Sequence, residues 1–171
     1  MKALKKALDQ QPSHSLARTF LRNTLFSSTE LALAQGNVSK AVEKVNEAWL
    51  NPPLEHEKPL IQRMTSGVHD KLLSAAKVEA EAGHWKTVLE YAELLNGSKG
   101  VTNRRIKEML KLCCTAMQAG ETKTFTPIAT AMVKRLKEAG YYQDDEYLHE
   151  FQTEAIFAPV RGLEAVKAIM K

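Results

Sequence analysis

The chain has 171 residues, 44% of them hydrophobic but only 6% aromatic, with 26% charged and a formal net charge of +4. That length supports a domain with a real core, and the scarcity of aromatics suits helices rich in alanine and leucine better than a β-sandwich. Acids are interspersed with the bases, unlike the concentrated basic stripe of a nucleic-acid binder, and no run approaches the roughly 18 apolar residues of a membrane span.

Residues 1–9 predict a short basic helix with Leu4 and Leu8 on one side, ended by Pro12. Residues 13–35 predict a long helix in which Leu16, Phe20, Thr24 and Leu31, with Ala17 and Leu21, share an inward face. Ser13 or Ser15 is its expected N-cap, and Gly36 supplies the left-handed residue past its end. Residues 38–50 return, with Val38, Val42, Val45 and Trp49 inward. Asn51-Pro52-Pro53 breaks the chain, because proline lacks a backbone N–H and clashes with the preceding turn.

A second long helix is expected over 57–82, with Pro59 in its first turn. Its stripe is Ile61, Met64, Val68, Leu72, Ala75, Ala76 and Val78. Gly83 stops it, and 85–95 is its partner, carrying Trp85, Leu89 and Ala92. Asn96 to Gly100 reads as a loop. Residues 102–119 form the third leading helix, with Ile106, Met109, Leu110, Cys113 and Met117 inside. Gly120 ends it and 126–139 return. Beyond Gly140 a turn leads into a helix over 147–152, and a last helix runs from Phe157 to Lys171. The aromatics gathered here suit a terminal cap.

A spacing recurs along these pairs. Gly36, Ala41, Val45, Ala48 and Pro53 set the frame. Gly83, Val88, Ala92 and Leu95 repeat it, and Gly120, Phe125, Ala129 and Met132 do so more loosely. Leu4, Ala7 and Pro12 read as the tail of an earlier copy. The turn glycines lie 47 and 37 residues apart. This predicts an all-α array of stacked hairpins in a single domain: a partial repeat over 1–12, repeats over 13–53, 57–96 and 102–139, and a cap over 140–171.

The pattern over Gly36 to Pro53 resembles the tetratricopeptide repeat, whose ideal length is 34 residues. The chain departs from that family in its first helices: Leu25 stands where a tryptophan is usual, and Ser28-Thr29 where Leu-Gly is usual. The resemblance implies an α-α superhelix that binds a protein or peptide on the concave face lined by its first helices. On that frame the groove residues are Asn23, Phe26, Glu30 and Leu33, then Asp70, Leu73, Lys77 and Ala80, then Lys107, Leu110, Cys114 and Met117. Asn23, Ser27, Asp70 and Ser74 do not reproduce the Lys/Asn carboxylate clamp of chaperone-tail binders.

A second series spans most of the chain. Ala7-Leu8 with Pro12, Phe20 to Asn23, and Ala32 with Gly36 and Ala41 begin it. Glu90 to Leu95 and Leu112-Cys113-Cys114 continue it. Ala139-Gly140-Tyr141, Asp144, Tyr147-Leu148, Phe151, Thr153, Ala158-Pro159 and Arg161-Gly162 close it. This series resembles the C-terminal repeat tails of large bacterial serine/threonine protein kinases. It implies a regulatory or structural tail and a covalent link to upstream domains. The phosphate loop, the Val-Ala-Ile-Lys strand, the His-Arg-Asp loop and the Asp-Phe-Gly motif are all missing from the sequence.

Nothing in the sequence assembles a catalytic or metal site. His14, His56, His69, His84 and His149 lack ligand spacing and read as surface or half-buried side chains. Asp144, Asp145 and Glu146 precede a helix, where acids cap free N–H groups. Cys113 and Cys114 are adjacent, which suits two reduced core thiols in a cytoplasmic protein. Lys2, Lys5 and Lys6, and Arg104, Arg105 and Lys107, read as solvated faces. The expectation is a cofactor-free interaction module, not an enzyme. It takes a protein or peptide partner, with neither a nucleic-acid nor a membrane partner.

Overall fold

The computed structural model describes residues 2–11, 14–50 and 53–171. Every described element is helical. In order they are α1 (Lys2–Gln10), α2 (Ser15–Ala34), α3 (Val38–Leu50), α4 (Lys58–Glu81), α5 (Trp85–Gly97), α6 (Asn103–Ala116), α7 (Thr122–Glu138), α8 (Asp145–Thr153), α9 (Ala158–Arg161) and α10 (Glu164–Met170). Single 3-10 turns at Glu55–Glu57, Tyr141–Gln143 and Ala155–Phe157 join some of them. The chain divides into two compact units: Met1–Lys71 with Ser98–Gly100, and Leu72–Gly97 with Val101–Lys171. The division falls inside α4, not at a boundary between repeats. Pro12, Ser13, Asn51 and Pro52, assigned above to breaks and a cap, lie outside the described residues.

The turns obey one rule. Gly36 sits at φ 70° and Gly83 at φ 73°, a conformation glycine adopts without steric cost. At the first, Asn37 N–H donates to Ala32 O and Gly36 N–H to Leu33 O; at the second, His84 N–H donates to Glu79 O and Gly83 N–H to Ala80 O. Both turns therefore close as the same two-bond helix stop, which satisfies carbonyls left open at a helix end. Gly120 is different. It lies at φ 106° within a kinked turn over Met117–Glu121, and Thr122 Oγ1–H donates to Met117 O at 3.1 Å.

In the first unit, α2 and α3 form a hairpin and α1 lies on α2. Ala41, Val45 and Ala48 are fully buried, as are Leu25 and Val68. The inward face of α2 is only partly the one expected: Ala17 and Leu21 are inside, but their companions are Leu25, Ala32, Arg18, Arg22 and Thr29. Leu16, Phe20 and Leu31 point to solvent, and Thr24 is exposed as well. The helix is rotated because it buries two arginines, which a hydrophobicity reading assigns to the surface. Its N-cap is His14, whose Nδ1 accepts from Ala17 N–H at 3.3 Å. Along α4, Val78 is exposed rather than inward.

The second unit holds the α6–α7 hairpin with α5 against both. Its core includes Val88, Ala92, Leu95, Ile106, Met109, Phe125, Ala129, Met132 and Leu136, all fully buried. Helix α7 starts at Thr122, four residues before the expected start, and carries Pro127 inside. The turn at Gly120 sets that start, and the proline falls early enough in the helix for only the first turns to adapt. The expected final helix is broken. The 3-10 turn at Ala155–Phe157 precedes α9, and α9 and α10 are separated at Gly162-Leu163. Phe157, Val160 and Val166 are buried in this closing segment, which packs on α6 and α7.

Candidate functional site

The groove residues expected from the repeat frame fare differently from one copy to the next. On α2, Asn23 and Glu30 are exposed, while Phe26 and Leu33 are half-buried on the flank. On α4, Asp70 and Lys77 are exposed, Leu73 is buried and Ala80 half-buried; Lys77 pairs with Glu108 at 4.0 Å. On α6 and at the turn that follows it, Leu110, Cys114 and Met117 are buried and Lys107 is half-buried. These three apolar positions do not line an open face, which corrects the expectation for the third copy. The structural reason is the closing segment, which covers this side of the helix.

That cover is built from charge and aromatic rings. Lys107 Nζ donates to both carboxylate oxygens of Glu150, at 3.0 and 2.8 Å. Lys111 Nζ reaches Glu150 at 3.0 Å and Glu154 at 3.2 Å. Each lysine also faces a ring of the segment, Lys107 over Tyr147 and Lys111 over Phe157, both at 5.6 Å from the ring centre. Such contacts add cation–π attraction. Burial pushes the Glu150 carboxyl up, but the two lysine hydrogen bonds and charges outweigh it and hold the group below the usual range. Burial pulls Lys107 and Lys111 down, and the carboxylates more than restore them, so both stand above the usual lysine value. Tyr141 stacks on Tyr147 at 4.3 Å, and Phe151 meets Tyr142 at 5.0 Å and Phe157 at 5.3 Å. Asp144 caps α8 by accepting from Glu146 N–H at 2.9 Å, as the acidic run suggested. Lys107 is therefore not a solvated basic cluster member.

Both cysteines are free and buried. Burial raises both thiols. Cys114 is pushed up to about 12, with Arg161 opposing, and Cys113 goes higher still, with the Cys114 charge adding to the effect. Thiols so raised stay protonated and unreactive near neutrality.

The first unit carries a buried charge cluster that the sequence did not advertise. Arg18 Nη2 donates to Glu57 Oε2 at 3.0 Å; Arg22 Nε lies 3.8 Å from Glu57 Oε1 and its Nη1 donates to Ala48 O. Leu54 N–H donates to the same carboxylate at 2.8 Å. Burial pushes the Glu57 carboxyl up, and the Arg18 and Leu54 hydrogen bonds with both guanidinium charges bring it below the ordinary value. Burial lowers Arg22, with Glu57 opposing and Arg18 assisting. The cluster ties α2, the end of α3 and the 3-10 turn that precedes α4 together.

A second buried network fastens residues 98–100. His69 is fully buried, contrary to the surface reading, and its Nε2 lies 2.6 Å from Ser98 Oγ. Asn46 Oδ1 accepts from Lys99 N–H at 2.7 Å. Trp49 Nε1–H donates to Thr65 Oγ1 at 3.0 Å. Gly100, at φ 66°, lies against the Trp49 ring, where an added Cβ would come within 2.7 Å. A hydroxyl beside an imidazole is the pairing of a nucleophile and its base, but Ser98 is 2% exposed and His69 is sealed. A substrate has no approach, and the pair acts as a clamp. Only its long sequence separation hid it.

Among the described residues of the first unit, large apolar side chains are open on the outer side of α2 and, beyond it, at Leu50 and Leu54. Leu16, Phe20 and Leu31 are 64%, 59% and 58% exposed. Spacings of four and eleven residues place them on one side of a helix, with Asn23 and Glu30 between them. Among the described residues, no group of three or more His, Cys, Asp or Glu could hold a metal ion, and no helix is long and apolar enough to cross a membrane. No protein family, curated protein or solved structure matches the chain.

Proposed function

We propose that the protein is a helical-hairpin interaction module of tetratricopeptide-like design, which binds a protein or peptide through the outer side of α2 and carries out no chemistry. The observation that carries this reading is the exposure of Leu16, Phe20 and Leu31, large apolar side chains on one face of a helix whose other face is fully packed. Apolar surface grouped in this way is characteristic of contact sites. Asn23 and Glu30, exposed beside them on the same helix, supply polar contacts. The matching glycine turns at Gly36 and Gly83 and the sealed Ala41, Ala48, Ala92 and Ala129 support the repeat-like part of the reading. We place the module in the cytoplasm, where Cys113 and Cys114 stay reduced, and propose neither nucleic-acid nor membrane binding.

The test is a photo-crosslinking residue at Phe20, with an exposed position on α7, Lys134, as the control, in extract of the organism that makes the protein. The expected result is a discrete adduct at Phe20, lost when Leu16 and Leu31 become serine and absent at Lys134. The same products at both positions, or none, would refute the reading.

A second reading takes the chain as a regulatory tail of a bacterial serine/threonine kinase. It draws support from the closing series, whose Tyr141, Asp144, Tyr147, Phe151 and Arg161 build the segment that covers α6. Reading the gene upstream of Met1 decides it: a kinase domain in frame supports this alternative, and a stop codon removes it.

A further inference from the structure

The closing segment contains a trough that neither its packing nor the interaction reading explains. One cavity of about 260 Å³ is bounded by Leu148, Phe151, Val166 and Met170, with Arg161 and Lys167 at its edge. A second of about 180 Å³ shares Leu148 and Met170 and adds Tyr142 and Lys137. The floor is apolar: Phe151 and Val166 are almost completely buried beneath it. The charged lining is entirely cationic, and no carboxylate contributes to either wall.

The three cations are not equivalent. Arg161 Nη1 donates to Phe151 O and Glu154 O, both at 2.7 Å. Lys137 Nζ donates to Ile169 O. These bonds neutralise the carbonyl ends of α8 and α10, which would otherwise repel an anion. Lys167 is different, for it pairs only one turn away with Glu164, at 2.6 Å. Glu164 is almost wholly exposed, and such surface pairs contribute little. The Lys167 ammonium can therefore exchange that partner for another carboxylate with small loss.

We infer that this trough binds a small amphipathic carboxylate, a medium-chain acid whose head meets Lys167 and whose tail lies along Leu148, Val166 and Met170 towards Tyr142. An apolar floor orients the tail by burial and a single charged group fixes the head, the division of labour usual in small-molecule sites. The two volumes, about 260 and 180 Å³, have room for an eight-carbon tail. This site is separate from the α2 face, and its failure would leave that reading untouched.

The probe is sodium octanoate, followed by the methyl NMR signals of Leu148, Val166 and Met170 in the full chain. The expected result is saturable shifts in the millimolar range, confined to those methyls. Octanol should weaken binding about tenfold, the loss of one charge-assisted hydrogen bond, and the exposed-site variant Lys167→Glu, which adds like-charge repulsion to that loss, by more. Leu148→Trp should fill the trough and abolish binding while the thermal transition stays in place. Unsaturable shifts, equal affinity for octanol, no effect of Lys167→Glu, or shifts centred on Leu16 and Phe20 would each overturn the inference.

Discussion

Helices α2 and α6 are the expected leaders of two copies of one repeat, yet they end in opposite states. Helix α2 turns Leu16, Phe20 and Leu31 outward and buries Arg18 and Arg22. Helix α6 buries every apolar position of the frame and engages its lysines with Glu150. The difference shows that a repeat pattern fixes which residues belong to a helix but not which face finds a partner. In the second unit the chain supplies its own acidic and aromatic partner, from forty residues downstream. In the first unit a buried ion cluster turns the helix and leaves apolar side chains at the surface.

The contrast is most exposed to attack at Glu57. Glu57→Ala would leave two guanidinium groups buried without their carboxylate, and breaking such a cluster by removing one partner costs about 3–5 kcal/mol. Urea unfolding should show that loss. A loss near zero would mean that Arg18 and Arg22 reach water and that α2 is free to rotate.

Next in size is the tight side of the first hairpin. Ala41 is fully buried, and Ala41→Leu should overpack the α2–α3 contact by about 1–3 kcal/mol. A thermal melt without loss would contradict the close approach that the glycine turn and the small residues set up.

The smallest effect concerns the clip on α6 and depends on pH. The Glu150 carboxyl is depressed in the folded protein. Its stabilisation is present above the unfolded glutamate value of about 4.3 and disappears as pH falls through the lower folded value. Lys107 and Lys111 are raised, so their share is present below the unfolded lysine value of about 10.4 and disappears as pH rises through the folded value. Glu150→Gln should therefore lower the urea midpoint at neutral pH, and the gap to wild type should narrow as the pH is taken from neutral to below the ordinary glutamate range. A gap that is the same at both pH values would show that the carboxylate does not carry the contact.

The parts of this architecture that depend on local chemistry were legible. The stops at Gly36 and Gly83 follow from the conformation that glycine alone adopts freely, and α3 has the expected bounds. Asp144 is the cap its position implied. The parts that depend on distant partners were not. The phase of α2 escapes a hydrophobicity reading because Arg18, Arg22 and Thr29 take core positions, and the residue that admits the two arginines, Glu57, lies 39 positions from Arg18. The closure of α6 rests on Lys107 meeting Glu150, 43 positions away. The clamp of His69 and Ser98 spans 29. None of these pairs leaves a periodic signature, so the open face on α2 became visible only from coordinates.

Thiol reactivity tests the contrast most directly. Cys114 reports on the covered side of α6 and Cys113 on its core side, and a Phe20→Cys substitution places a third thiol on the outer side of α2. With an aromatic disulfide reagent near neutral pH, the native protein should show one fast thiol, at position 20. The other two should react only as the chain unfolds. Rapid native reaction of Cys114, or a silent thiol at position 20, would contradict the account.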